Sequence, residues 1–371
     1  MRYRFFASIG ALAAVIAVAS QATVPVAGQA AAPTWTQPRT PDGQPDLQGI
    51  WVNQTSTPLE RPSALAGKEI LTDDELVKAE RRVIENHAAP DRRDQKPGTV
   101  TDVGRAYGAL WRPVQGKPIR RTSLIVDPPD GRVPPVKPEA RERFAAWAAT
   151  KGLFGSAGSP ETNTPGTLGE GEEDGTAGGA DGRGTRAENP EDRRLSERCI
   201  TFGGVPRLPG GYNNHLQIVQ NPQYVVIQME MIHDARIVPL DGRPHLPQSI
   251  RQWYGDPRGH WEGNTLVVDT TNFTGKAPFR GSFEGLHIVE RFTRVDADTI
   301  NYELSVDDPT TWTRSWKAAF PITKIEALVG GADQLQVPRI FEYACQEGNY
   351  GLGGQLRGAR AEEAAALRVR K

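Results

Sequence analysis

The sequence is short of cysteine, methionine and net charge. Two cysteines in 371 residues, Cys199 and Cys345, exclude a disulfide framework, and they are too few and too far apart for a thiolate zinc centre. Lys plus Arg number 44 against 45 Asp plus Glu. No single-sign field therefore marks the chain for nucleic acid or an acidic membrane, and nucleic acid is excluded as a partner. The chemical fingerprints are missing too. There is no G-x-x-x-x-G-K-[ST] phosphate loop and no flavin or dinucleotide signature, so no cofactor is expected. No H-x-H or H-E-x-x-H spacing joins the histidines, so no metal is expected unless separate strands assemble a site. The run Gly281-Ser282-Phe283-Glu284-Gly285 puts serine second, where a G-x-S-x-G nucleophile elbow needs it third.

Long apolar runs are confined to the start. Residues 1–30 combine two early arginines, an apolar run from Phe5 to Ala19 and a stretch of small residues. That is the order of a secretory signal peptide, with cleavage after Ala22 or Ala30, and the run is short for the competing reading of a membrane anchor. A periplasmic or secreted location is expected, with no stable membrane span after cleavage. In an oxidising compartment Cys199 and Cys345 pair with each other. Closing so long a loop restrains the unfolded chain by roughly 4–5 kcal/mol in the entropy model.

Residues 33–154 carry a first strand, with Ile50 and Val52 on one side and Trp51 on the other, then two helices. The first helix opens at a capping box from Thr72 to Glu75 and runs to about Asn86. Ser123 to Val126 is a short strand ended by the turn Pro129-Asp130-Gly131. The second helix starts at Pro138, spaces Ala140, Phe144, Trp147 and Ala148 along one face, and stops at Gly152. Both helices read as packing elements. Residues 155–194 are a Gly-rich, apolar-poor insert expected to be disordered. The tail 352–371 reads as a frayed surface helix or disorder.

The main portion, 195–351, is dominated by Tyr212 to Phe320. Runs of Val, Ile, Thr, Tyr, Phe and Trp are cut there at short intervals by Asn-Pro, Gly-Asn and Asp-Ala-Asp. This is the pattern of consecutive antiparallel strands. Phe341 to Cys345 reads as a last strand. The fold class is mainly β: an antiparallel meander forming a closed or nearly closed barrel, which removes exposed edges, with the two N-terminal helices packed outside. The Gly49-x-Trp51 triplet is similar to the opening of lipocalin-like barrels.

Five of the six histidines lie in this stretch. Strand alternation places Val225, Ile227, Met229 and Met231 on one face, which His233 continues. Leu286, Ile288 and Phe292 share a face that Glu290 interrupts, and Trp312 and Trp316 bracket Arg314. His287 falls opposite Glu290, at a rim or exposed. Two readings stay open. In one, Glu290 and Arg314 form a buried ion pair beside a satisfied core histidine. In the other, Arg314 holds a ligand oxygen, Trp312 and Trp316 stack on a ring, and His233 with Glu290 moves protons. Arg236, Asp234 and Lys317 are adjacent candidates. Between Pro239 and Trp261, His245, Asp256, Arg258 and His260 sit among Gly and Pro, as a gate over a pocket or as ordinary turn chemistry.

The blocks RTSLIVDPPDGRVPP, MIHDARIVPLDGRPH, GDPRGHWEGNTLVVDTTNF and FEYACQEGNY resemble a family of exported bacterial proteins whose activity is uncharacterised. The likeness spans about Pro45 to Tyr350 and implies export but no chemistry. The resulting expectation is a barrel that binds a small organic molecule, as a carrier or as a cofactor-independent hydrolase or lyase using His233 and Glu290. The alternative is a cell-envelope interaction or structural protein with a packed interior.

Overall fold

The computed structural model describes residues 35–88, 118–150, 189–192, 195, 198–201, 205–209, 214–324, 340, 342–347 and 350–369. The segment 1–30, expected to be a signal peptide, and most of the Gly-rich insert lie outside them. The chain divides into two compact units, Met1–Thr36 and Gln37–Lys371, and every element below belongs to the second.

Ten strands form one antiparallel sheet. They are β1 (Gly49–Val52), β2 (Ile125–Asp127), β3 (His215–Gln220), β4 (Tyr224–Met229), β5 (Ala235–Pro239), β6 (Asp256–Glu262), β7 (Thr265–Thr271), β8 (His287–Arg294), β9 (Thr299–Asp307) and β10 (Trp316–Thr323). The order is β5-β4-β3-β1-β10-β9-β8-β7-β6, with β2 beside β10. Two meanders are thus joined through β1, which pairs with β3 and meets β10 at Val52 and Thr323. The chain is mainly β, as its alternation predicts. The sheet is not closed, since β5 and β6 end its order.

The inner face is built in rows across the strands. Trp316, Val306, Ile288 and Thr270 form one, and Ala318, Leu304, Glu290, Val268 and Gly259 the next. Phe320, Tyr302, Phe292, Leu266 and Trp261 form a third. Tyr302 lies 4.9 Å from Phe292 and 5.0 Å from Phe320, centroid to centroid. Such cross-strand aromatic neighbours are the unit of sheet stabilisation. In the other meander the inward residues are Trp51, Leu216, Ile218, Val225, Ile227 and Val238, all buried. Trp51 anchors β1 by donating from Nε1 to the Leu47 carbonyl at 2.9 Å.

Among the described residues three α-helices accompany the sheet: α1 (Asp73–Ala88), α2 (Pro138–Thr150) and α3 (Tyr350–Val369). The capping box at α1 is formed. Glu75 accepts from the Thr72 N–H at 2.8 Å, and the Thr72 hydroxyl accepts from the Glu75 N–H at 3.3 Å. Lys68 and this cap hold the Glu75 carboxyl down at about 2. Packing is unequal, however. α2 buries Ala140 and Phe144, whereas Val77 and Ile84 of α1 remain exposed. Amphipathic spacing names a face without supplying the surface that covers it.

Two expected strands differ. The short strand predicted at Ser123–Val126 forms at Ile125–Asp127, and Glu342–Cys345 has no strand structure. Cys199 and Cys345 are joined as a disulfide, with Cα atoms 5.8 Å apart across 146 residues of sequence. The C-terminal segment is therefore tied down covalently, and its described residues 342–345 form no strand pairing, Phe341 lying outside the described residues.

Although no ladder joins them among the described residues, β5 and β6 touch. A Cβ on Gly259 would fall 2.7 Å from both Val238 Cγ1 and Leu240 Cδ2, and 3.5 Å from the Pro239 carbonyl. Gly259→Val should force these strands apart and cost about 1–3 kcal/mol. The expected result is a lower urea midpoint at unchanged slope; an unaltered midpoint would mean that the contact yields freely.

Candidate functional site

Among the charged groups buried in the described residues, Glu290 sits at the centre of the sheet's inner face. β8 alternates so that Ile288, Glu290 and Phe292 point inward, and the Glu290 side chain is only 2% exposed. Its partner is Arg236 on β5, not Arg314. The guanidinium Nη1 donates to Glu290 Oε1 at 3.0 Å, and Nη2 pairs with Oε2 to complete a bidentate bridge. The Tyr302 hydroxyl donates to Oε1 at 2.8 Å. Burial works against the charge on Arg236, but the adjacent Glu290 outweighs it and raises the guanidinium further. Burial, then Glu290, pushes the Tyr302 phenol well above its ordinary value. Three donors serve this carboxylate.

The expected His233, Glu290 and Arg314 trio is not assembled. β4 ends at Met229, and a single helical turn, Met231–His233, follows with φ of 60° at Ile232 and 48° at His233. The turn breaks the alternation, so Met231 is buried and His233 exposed. Arg314 precedes β10 in a turn, where alternation does not apply. It is half exposed and donates to Asp127 Oδ1 at 2.7 Å. Trp312 and Trp316 do lie inside, edge to face at 5.9 Å, with Trp316 stacked on Phe279. They are 1% and 0% exposed, so neighbouring side chains occupy the space that a stacked ring would need.

A second cluster lies on the outer face of β6, β7 and β8, beneath the loop Leu240–Gly255. Asp256 and Arg258 alternate outward on β6, Asp269 on β7 and His287 on β8. His245 descends from the loop between two carboxylates. Its Nδ1 is 3.2 Å from Asp256 Oδ2, and its Nε2 is 3.1 Å from Asp269 Oδ1. The His287 Nε2 reaches that same Asp269 oxygen at 3.1 Å. Asp256, 4% exposed at its side chain, also accepts from the Leu246 N–H at 2.8 Å and from Arg258 Nη1 at 2.6 Å. Arg258 Nε then donates to the Pro244 carbonyl at 3.0 Å. Asn272, whose φ of 58° suits asparagine, donates to the carbonyls of Leu246 and Pro247. Asp256 and Arg258, expected over a pocket mouth, thus pin the loop to the sheet.

Other polar contacts frame the β4–β5 turn. The Tyr254 hydroxyl meets the Asp234 carboxylate and Thr201 Oγ1, the latter at 2.8 Å. Burial raises the Asp234 carboxyl and, with Asp234 second, the Tyr254 phenol. His215 Nδ1 lies 2.7 Å from the buried Glu230. Among the described residues, no group of three His, Cys, Asp or Glu has the arrangement to hold a metal ion.

Sequence reasoning passed over Asp269, Tyr302 and Glu230. Alternation within Leu266-Val267-Val268-Asp269-Thr270 does mark Asp269 as facing away from Val268. No local signal indicates that His245 and His287 converge on it, because that depends on the β7–β8 register and on the loop's path.

Two predictions follow from these clusters. Arg236→Met leaves Glu290 buried without its cation and should cost about 3–5 kcal/mol in urea unfolding. Adding Glu290→Leu should recover part of that loss, and a double variant no more stable than the single one would show that the pair is not the cause. The second prediction concerns pH. The Asp269 hydrogen bond raises His287, and the His287 hydrogen bond foremost lowers Asp269. The His287 contribution is thus complete below the ordinary histidine value of about 6.5 and lost as pH rises through the raised one. That of Asp269 is present above the ordinary carboxylate value and lost in acid. His287→Gln should therefore destabilise the protein more at about pH 5.5 than at about pH 9. Equal losses at both would mean that the pair contributes nothing electrostatic.

No family model matches the chain, and no curated protein or solved structure matches it in the corresponding searches.

Proposed function

We propose that this is an exported cell-envelope interaction protein with a structural interior, acting through the loop Leu240–Gly255. The observation that carries the reading is the loop's composition and restraint. Leu246, Ile250 and Trp253 are 37%, 48% and 39% exposed, on a segment pinned to the sheet by His245, Arg258 and Asn272. Isolated exposed apolar residues are ordinary, but three on one preorganised loop, including a tryptophan, suit the anchor of a protein contact. Glu290 supports the same reading, because a carboxylate with three donors is poorly placed to exchange protons with a substrate.

Export would proceed through the signal segment 1–30, consistent with a disulfide that needs an oxidising compartment. Within the described residues no helix is long and apolar enough to cross a membrane. The β5–β6 contact at Gly259 supports near-closure of the sheet into a lipocalin-like barrel, and the sequence blocks support kinship with exported bacterial proteins.

A second reading, a small organic ligand held inside, rests on a different observation. Among the described residues, Arg236 Nε and Trp261 Nε1 are buried donors with no partner. Such donors suit an occupant bearing acceptor oxygens.

Co-sedimentation of the exported protein with a washed envelope fraction tests the leading reading. Leu246→Ser/Ile250→Ser/Trp253→Ser should lower the bound fraction at least ~fivefold while leaving the unfolding free energy within about 1 kcal/mol of wild type. Unchanged sedimentation would overturn it. Native mass spectrometry should give the bare mature chain, whereas a retained organic molecule would favour the second reading.

A further inference from the structure

We infer that His245 is a proton-operated latch that holds the loop Leu240–Gly255 against the sheet in its cationic form and releases it when neutral. The inference names the regulation of the surface proposed above and rests on that reading for its purpose.

The geometry of one ring carries it. Both His245 nitrogens face carboxylate oxygens, Asp256 Oδ2 at 3.2 Å and Asp269 Oδ1 at 3.1 Å. Ionised carboxylates only accept, so both contacts are hydrogen bonds only when both ring nitrogens carry protons. In the neutral ring one nitrogen presents a lone pair to an anion, and attraction becomes repulsion. Imidazole changes charge between about pH 5 and pH 8, within the range that an exported protein meets.

Charged groups face the ring from every element packed against it. From β6 the ring faces Asp256, with Arg258 behind it on the other carboxylate oxygen. From β7 it faces Asp269, and from β8 His287, which donates to the same Asp269 oxygen and feels the charge of Asp307 on β9. On the loop itself Asp241 pairs with Arg243, and Arg251 reaches Glu284. Two carboxylates therefore serve His245, while Arg258 and His287 compete for them.

The latch is mechanically placed. His245 precedes Leu246, whose N–H is held by Asp256 and whose carbonyl is held by Asn272. At the far end Gln252 donates to the Asn272 carbonyl at 3.0 Å and accepts from Thr274 at 2.9 Å. Arg258 on Pro244, Asn272 on Leu246 and Pro247, Arg251 on Glu284 and Tyr254 on Thr201 and Asp234 hold the loop at other points, so losing the central tie loosens the stretch between them and reorients Leu246, Ile250 and Trp253.

Tryptic cleavage at Arg251–Gln252 reads the latch, because Gln252 is protected only while the loop is docked. Cleavage at Arg360–Ala361 in α3 of the same full-length protein corrects for the protease's own pH dependence. Between about pH 6 and about pH 8.5 the ratio of the two rates should rise at least ~fivefold in wild type. His245→Gln should give the high ratio at both pH values, and His287→Gln should keep the rise. A wild-type ratio constant within about twofold would overturn the inference, and so would a His245→Gln protein that retains the wild-type rise. The assay contains no partner, so its failure leaves the envelope reading standing, and failure of co-sedimentation leaves the latch standing.

Discussion

The bidentate bridge between Arg236 and Glu290 is the interaction on which the rest of the sheet depends. Arg236 lies on the strand that ends one meander, and Glu290 lies two strands in from the other end. Backbone ladders hold each strand to its neighbour but do not join the two ends. The bridge does so across the interior, and the Tyr302 hydroxyl completes the carboxylate's coordination. Two charges buried among Phe292, Tyr302 and Phe320 are tolerable only as a pair with satisfied oxygens, since desolvation of either alone outweighs what its surroundings return. The pair therefore selects one relative placement of β5 and β8. Gly259, with no side chain to hold β5 and β6 apart, makes that placement sterically possible.

The same carboxylate chemistry appears on the outer face with the opposite character. Inside, Glu290 meets a guanidinium that keeps its charge at every physiological pH, and the contact is permanent. Outside, Asp256 and Asp269 meet imidazoles, whose charge is conditional. A permanent cation joins the strands, and the loop carrying exposed apolar residues is held to the sheet by an imidazole beside the guanidinium of Arg258. This division follows from which base each strand presents to its carboxylate, and it separates the stable part of the molecule from the part able to respond to its surroundings.

Much of this was legible from local pattern. Alternation placed Val225, Ile227, Met229, Ile288, Glu290 and Phe292 inward and His287 outward, and the structure agrees. Thr72 and Glu75 marked the start of α1, and the two cysteines had only each other. The reading broke where alternation was carried past the end of a strand. His233 was assigned by counting on from Met229, across a turn with two positive φ angles. Arg314 was assigned by counting back from Trp316 into residues that precede the strand. Both fell outside because strand periodicity holds only while the backbone stays extended.

By itself the sequence determined the secondary-structure class, the faces of the main strands, the cap of α1 and the absence of nucleotide fingerprints. Each of these is set by residues a few positions apart, through backbone geometry that needs no distant partner. Tertiary structure alone decided that β1 sits between β3 and β10, that Glu290 takes Arg236 rather than Arg314, and that His245 falls between Asp256 and Asp269. Those outcomes join positions separated by tens to hundreds of residues. They are chosen by the packing of the whole sheet, in which a face can be read from its own strand but a partner cannot.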